Sequence, residues 1–194
     1  MTVRILTVCT GNICRSPYVH LLLGDRLEAV RPGAFDVSSA GVYALVGQGV
    51  DAGSVAHLGR HGVAHGDFAA RQLSEPILQP VDLVLAMSTE HRKQVLSYTP
   101  RLVRRTFTLK EMARLIDAAK AAQPWADRLA GLGTPEERWA EISRQLAVQR
   151  QRSRVEAEID DLADPYRQPQ EAFDLMAREA DAAVDRIVAL EASF

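Results

Sequence analysis

The stretch VRILTVCTGNICRSP, Val3 to Pro17, passes from a β-branched and apolar run into a loop that carries two cysteines, a glycine, an asparagine and an arginine. The run VRILTV, Val3 to Val8, has the composition of a buried strand. Beyond the loop, Ser16 is a residue type that caps helix N-termini and Pro17 suits the first helical position. The segment YVHLLLGDRLEAV then keeps apolar residues at helical spacing. The stretch predicts a strand, a loop and a helix in succession.

A loop that opens a helix turns its backbone N–H groups, and the positive end of the helix dipole, toward one point, which is where an anion binds. Gly11 and Asn12 are the residue types that tolerate the positive φ of such a concave loop. Arg15 adds a planar fork of donors that grips two oxygens of a phosphate together. Cys9, at the end of the strand, lies at the floor of this cradle, where the field that attracts an anion also favours a thiolate. Cys9 is the candidate nucleophile, and the phosphorus of a bound phosphate is its target.

Metal and redox readings of the two cysteines fit less well. A zinc site wants about four ligands, and His57, His61 and His65 are separated by Gly59 and Gly62, which interrupt any helix that would align them. No metal and no cofactor are expected. A structural disulfide does not suit a reducing compartment, and Cys14 reads most simply as a packed thiol.

Farther along, strand and helix signals alternate. FDVSSAG is a second strand, DAGSVAHLGRHG begins a helix that ends in glycine, and VDLVLAM is a third strand followed by the Ser88-capped helix TEHRKQVLSY. RRTFTL is a fourth strand, and Thr108 with Glu111 forms a capping box into LKEMARLIDAA. The last helix, EAFDLMAREADAAVDRIVALEA, sets Phe173, Met176, Ala180, Val184, Ile187 and Leu190 on one face. Strands alternating with helices predict an α/β fold: an open, doubly wound parallel sheet of about four strands with helices on both faces. Ligands of such sheets bind beyond the carboxyl ends of the strands, where the first loop lies.

Residues 117–160 carry no strand signal. Thr134, Pro135, Glu136 and Glu137 form a capping box that starts a helix with Trp139, Ile142 and Leu146 on one side. The segment reads as a helical insertion within a single domain of residues 1–194, packed on the core or serving as a lid or partner surface. A chain of 194 residues with 47% hydrophobic content builds one core. Its formal charge of −2, with both signs interspersed, supplies no basic face for nucleic acid. No leader or membrane-spanning run is read, so the expectation is a soluble cytoplasmic protein without nucleic-acid or membrane partners.

The loop CTGNICRS, a cysteine followed by five residues, an arginine and a serine, resembles the signature loop of the protein tyrosine phosphatases. The internal GNICRSP and its place near the N-terminus resemble the low-molecular-weight class. SSAG, Ser38 to Gly41, resembles that family's second strand end, and DPY, Asp164 to Tyr166, its late general-acid loop. The resemblance does not cover 117–160.

It implies hydrolysis of phosphotyrosine in a protein substrate through a phosphocysteine. Cys9 would be the nucleophile, Arg15 the oxyanion clamp and Asp164 the general acid. Thr10, Gly11, Asn12, Ile13, Cys14 and Ser16 would complete the phosphate loop, and Ser16 would also donate to the leaving sulfur. Ser39 would support the loop, and Tyr43, Leu45 and Tyr166 would line the slot for the ring. A reversible disulfide between Cys9 and Cys14 would protect the nucleophile. On its residues alone Asp164 is equally a turn aspartate before proline, and Asp160 and Asp161 read as a solvated charged face. Two positions depart from the family pattern. Asp67 and Phe68 stand before ARQL where a histidine often supports the loop asparagine, and Ser88 stands after VLAM where an aspartate is common.

Two other functions fit the same loop. Arsenate reductases share the fold but relay oxidation through further downstream cysteines, and none follows Cys14. A non-catalytic phosphate or phosphopeptide reader needs neither Cys9 nor Asp164.

Overall fold

Strand β1 (Val3–Cys9) buries every residue except Arg4, as a strand must when it runs through the middle of a sheet covered on both faces. The computed structural model describes residues 2–153 and 155–194; Met1 and Arg154, which fall within the expected 1–194 domain and the 117–160 insertion, lie outside the described residues. β1 pairs in parallel with β2 (Phe35–Gly41) on one side and with β3 (Leu83–Ala86) on the other, and β3 pairs in parallel with β4 (Thr106–Thr108). The order β2-β1-β3-β4 makes the gap between β1 and β3 the point where the winding reverses. The carboxyl end of β1 opens there.

Between the strands run α1 (Arg15–Val30), α2 (Ala52–Arg60), α3 (Glu75–Leu78) and α4 (Thr89–Tyr98), and α5 (Leu109–Ala122) follows β4. They are followed by α6 (Trp125–Arg128), α7 (Pro135–Arg152), α8 (Ala157–Asp160) and α9 (Gln170–Glu191). Alternation along β1 feeds two cores. Val3 and Ile5 join Leu22 of α1, Met112 of α5 and Met176 and Val184 of α9, whereas Leu6 and Val8 join Leu78 of α3 and Val95 of α4. The fold is the expected α/β sheet with helices on both faces. Ser88 caps α4 by accepting from the His91 amide, and the capping boxes at Thr108 and Thr134 are both formed. Each predicted residue of the α9 stripe, from Phe173 to Leu190, is buried.

Trp139, Ile142 and Leu146 of α7 share the larger core with Val3 and Ile5. The Trp139 ring meets Phe35 edge-on at 5.7 Å, so this part of α7 lies at the amino ends of β1 and β2, away from the first loop. From α7 the chain returns across the carboxyl ends of β3 and β4, where Thr108 Oγ1 donates to the Asp160 carbonyl at 2.6 Å and the Leu162 amide to the Met87 carbonyl at 2.9 Å.

Asp160 and Asp161 are not a solvated face. Asp160 is buried and takes both Arg114 Nε, at 3.0 Å, and Nη2, at 2.8 Å, and Asp161 accepts from the Thr89 amide. The charged run is inward because each carboxylate meets a donor from a neighbouring helix. No helix among the described residues is long and apolar enough to cross a membrane.

Candidate functional site

The first loop is held from behind. The Val42, Tyr43 and Leu45 amides donate to the carbonyls of Cys9, Thr10 and Gly11, each at 3.0 Å, and the Asp51 amide donates to the Ile13 carbonyl at 2.8 Å. With its carbonyls drawn toward the β2–α2 connection, the loop leaves its amides on the other side: those of Gly11 to Cys14 meet no acceptor among the described residues. Asn12 takes φ +55°, the left-handed conformation its residue type tolerates. Gly11 does not share it; the expected positive φ occurs only at Asn12, and a Cβ on Gly11 would make ordinary contact with Ile13 and Leu45. The glycine the geometry does require is Gly41, where a Cβ would stand 2.4 Å from the Thr10 carbonyl oxygen.

Helix α1 starts at Arg15 with Cys14 as its cap and no side-chain cap bond, so Ser16 is not the N-cap and Pro17 is the third helical residue rather than the first. A capping hydroxyl would occupy the amides that the cradle offers to an anion. Ser16 Oγ instead lies 2.9 Å from Cys9 Sγ and accepts Asn12 Nδ2 at 2.9 Å. Asn12 Nδ2 also reaches Ser39 Oγ at 2.9 Å, its Oδ1 accepts from the Arg71 amide, and Ser39 Oγ meets His20 Nδ1 at 3.3 Å. Asn12, Ser16 and Ser39 are buried under the loop rather than facing the cleft.

The cleft above is lined by Cys9, Thr10, Gly11, Ile13, Cys14 and Arg15 of the loop. Tyr43 and Leu45 after β2 and Asp164 and Tyr166 before α9 complete its walls. The structure thus gathers the predicted site residues from three segments, all facing the cleft except Asn12, Ser16 and Ser39, which lie beneath the loop. Arg15 is buried, and its Nη2 donates to Asp164 Oδ2 at 2.7 Å. Asp164 Oδ1 accepts the Tyr166 amide at 3.2 Å, the turn expected of an aspartate before proline. The carboxylate serves that turn and faces the cleft together.

Three supporting side chains escape sequence reading. His91 Nε2 lies 2.8 Å from Thr10 Oγ1 while its Nδ1 lies 2.7 Å from Ser88 Oγ. Burial, aided by the Arg15 guanidinium, pulls the His91 imidazole down to about 4, so the ring stays neutral between two hydroxyls. His20 is likewise pulled down to about 4 by burial and then by Arg71, and with Ser39 it stands in for the histidine missing before ARQL. Arg71 is the third. A histidine three residues after the Ser88 cap was the only local signal; His20 and Arg71 show none. Cys14 is pushed up to about 12, first by burial and then by the charges of Asp51, Cys9 and Asp164, so it remains a thiol. The histidines at 57 and 61 pair with Asp174 and Asp181 of α9.

The family described as low molecular weight phosphotyrosine protein phosphatase matches residues 4–127. The chain belongs to that family. Among curated relatives, the low molecular weight protein-tyrosine-phosphatase Etp of Escherichia coli K12 is 43% identical over 98 residues, covering 50% of this chain and 63% of Etp. The matched part therefore spans less than two thirds of that relative. The probable low molecular weight protein-tyrosine-phosphatase EpsP of Ralstonia nicotianae is 36% identical over 112 residues, 58% of this chain and 74% of EpsP. The crystal structure of the low molecular weight protein tyrosine phosphatase from T. tengcongensis superposes with TM-score 0.67 at 26% identity, over 97% of this chain and 99% of that one. The YwlE arginine phosphatase of Geobacillus stearothermophilus follows at 0.65 and 26%, over 96% and 91%. The family match ends before Asp164, whereas these structural likenesses run through it.

Proposed function

We propose that the protein is a tyrosine phosphatase that cleaves phosphotyrosine monoesters in a protein substrate, in the cytoplasm, as one domain of residues 1–194 with 117–160 as a helical insertion. The observation that carries the reading is the meeting of Cys9, backed by Ser16, with the Arg15–Asp164 pair in one cleft. Gly11, Asn12, Ile13 and Cys14 offer loop amides to the equatorial oxygens, and Arg15 adds its fork, where transition-state charge is spread. Cys9 sulfur attacks phosphorus, the ester bond breaks, and Asp164 delivers a proton to the departing phenolate. Asp164 then takes a proton from water, which attacks the phosphocysteine and releases phosphate and the Cys9 thiolate. Because Ser16 Oγ already accepts the Asn12 amide, its own proton is directed to the departing sulfur. A flat aryl group fits between Ile13, Leu45, Tyr43 and Tyr166. A phosphorylated guanidinium, by contrast, would find Asp164 as the cleft's one carboxylate.

Steady-state hydrolysis of phenyl phosphate and p-nitrophenyl phosphate by wild type, Cys9→Ser and Asp164→Ala tests the mechanism. Cys9→Ser should abolish turnover of both. Asp164→Ala should lower kcat/KM by about 10²-fold or more with phenyl phosphate, whose leaving group has a pKa near about 10, and by less with the better leaving group. Equal losses on the two esters in kcat/KM, which reports only the step that expels the phenolate, would remove Asp164 as the acid. Phosphotyrosine and phosphoarginine peptides assayed in parallel decide the substrate. Arsenate reduction without ester hydrolysis would make the chain a reductase, and phosphate binding without either activity would make it a reader.

A further inference from the structure

Arg167 is left over by that mechanism, and its backbone is unusual. It takes φ +58°, a conformation that favours glycine and that among the other non-glycine described residues only Asn12 adopts. The turn is held on both sides, by the Tyr166 amide on Asp164 Oδ1 and by the Gln168 amide on the Pro165 carbonyl at 2.9 Å, and Pro169 then leads directly into α9. An exposed arginine in a fixed, left-handed turn is a position where function outweighs backbone preference. Its guanidinium carbon stands 5.1 Å from the centroid of the Tyr166 ring, the half-exposed wall of the slot. Stacking of this kind orients the cation while leaving its donors outward. Among the described residues no carboxylate pairs with it.

The surroundings sharpen the reading. Of the two segments that form the slot's outer walls, residues 42–50 contain no charged side chain and residues 165–170 contain only Arg167. Tyr43 and Val46 are exposed there, at 71% and 68%. Apart from Asp164, whose carboxylate is tied to Arg15, the walls of the slot carry one held cation, set beyond the reach assigned to the phosphate itself, which Arg15 and the loop take.

We propose that Arg167 is a specificity-determining residue that pairs with a carboxylate side chain flanking the phosphotyrosine, so that the enzyme prefers substrates with Asp or Glu beside the phosphorylated tyrosine. The inference rests on the phosphotyrosine reading of the site. One exposed pair of this kind is worth a modest factor, screened further by salt.

The test compares kcat/KM for phosphotyrosine peptides that carry Glu, Ala or Lys at the positions before and after the tyrosine, for wild type, R167G, R167K and R167E. R167G suits the left-handed backbone and keeps the fold, and the ratio between peptides within one variant cancels any change in the slot common to all of them. Wild type should favour the Glu peptides over the Lys peptides by about threefold to tenfold at low salt, with the difference mainly in KM. R167G should flatten the ratio, R167K should retain most of it and R167E should invert it. A wild type that cleaves the peptides without charge preference, or an R167G that keeps the preference, overturns the inference alone. Failure of wild type to cleave any of the peptides overturns the phosphotyrosine reading, and this inference with it.

Discussion

Ser16 is committed to two bonds at once, accepting Asn12 Nδ2 and facing Cys9 Sγ, each at 2.9 Å. On the proposed mechanism Ser16→Ala removes the donor to the leaving sulfur and leaves one N–H of Asn12 without its acceptor, the other still held by Ser39, so hydrolysis of the phosphocysteine should slow. The expected result is a kcat lower by about 10-fold to 100-fold with little change in KM, and a burst of p-nitrophenol in rapid-mixing kinetics. Cys14 offers a different check. Held near about 12 by burial and neighbouring negative charge, it stays protonated at neutral pH, and the thiol form is a poor nucleophile. Brief iodoacetamide treatment at pH 7.5 should therefore alkylate Cys9 and spare Cys14, as peptide mass spectrometry would read; alkylation of Cys14 at a similar rate would contradict its assignment. The shared loop of Cys9 and Arg15 was legible because a short motif carries both, whereas Asp164, an ordinary turn aspartate on its own residues, became a candidate only through the family resemblance. His91 was not, because its partner Thr10 lies 81 residues away and a histidine in an amphipathic helix looks like any other buried one.

Helix α1 begins where the anion cradle needs it rather than where the best capping residue stands. Capping propensity is worth about 1 kcal/mol, less than a ring of oriented amides can gain from a bound dianion. Where no anion competes, the caps read at Ser88, Thr108 and Thr134 stand. Asp51 accepts the Gly53 amide at 2.9 Å at the start of α2, and Asp51→Ala should destabilise by about 1 kcal/mol in urea unfolding. The close approach of β2 to the loop is stricter. Gly41→Ala would push a methyl into the Thr10 carbonyl at 2.4 Å, against backbone that cannot swing aside as a side chain would, so a few kcal/mol of stability should be lost. Phosphate should weaken as a competitive inhibitor in step. The sequence suggested the strand end at SSAG but gave no reason to single out its glycine. The short helices α3, α6 and α8 were not read as separate elements, since four residues make a single turn with no periodicity to read.

Glu191 joins parts of the molecule that are far apart in sequence. Fully buried, it accepts from Arg31 Nε at 2.9 Å, Arg138 Nη2 at 3.0 Å and Trp139 Nε1 at 2.8 Å, tying α1, α7 and α9 together at the amino ends of the strands. Glu191→Ala would leave buried donors unpaired and should cost about 3 to 5 kcal/mol, seen as a large drop in Tm, while kcat per folded molecule holds because the cleft is at the other end of the sheet. Acid should act through the opposite end. His20 and His91 ordinarily titrate near 6.5 and are pulled to about 4 when folded, so between those values the unfolded chain binds the extra protons. Stability is therefore full above about pH 6.5 and falls as pH drops toward 4, by at most on the order of 3 kcal/mol for each ring. His91 faces Arg15, Asp164, Asp161 and Glu90, and His20 faces Arg71 and Asp36. Urea midpoints from pH 7 to 4.5 should fall more steeply for wild type than for His91→Gln, and equal slopes would contradict the assignment.

The alternation of strands and helices, and the loop that carries Cys9 and Arg15 between β1 and α1, were contained in local patterns, because periodicity, caps and a short motif act within a few residues. The tertiary structure decided what those patterns leave open. It set the start of α1, made Asp160 an inward ion pair with Arg114, and placed α7 at the amino ends of β1 and β2. It also brought His20, Arg71 and His91 beside the loop and its supports and set Arg167 over Tyr166. Each of these depends on a partner that only the winding of the chain delivers, and burial and pairing energies at such meetings exceed the preferences that a single segment can express.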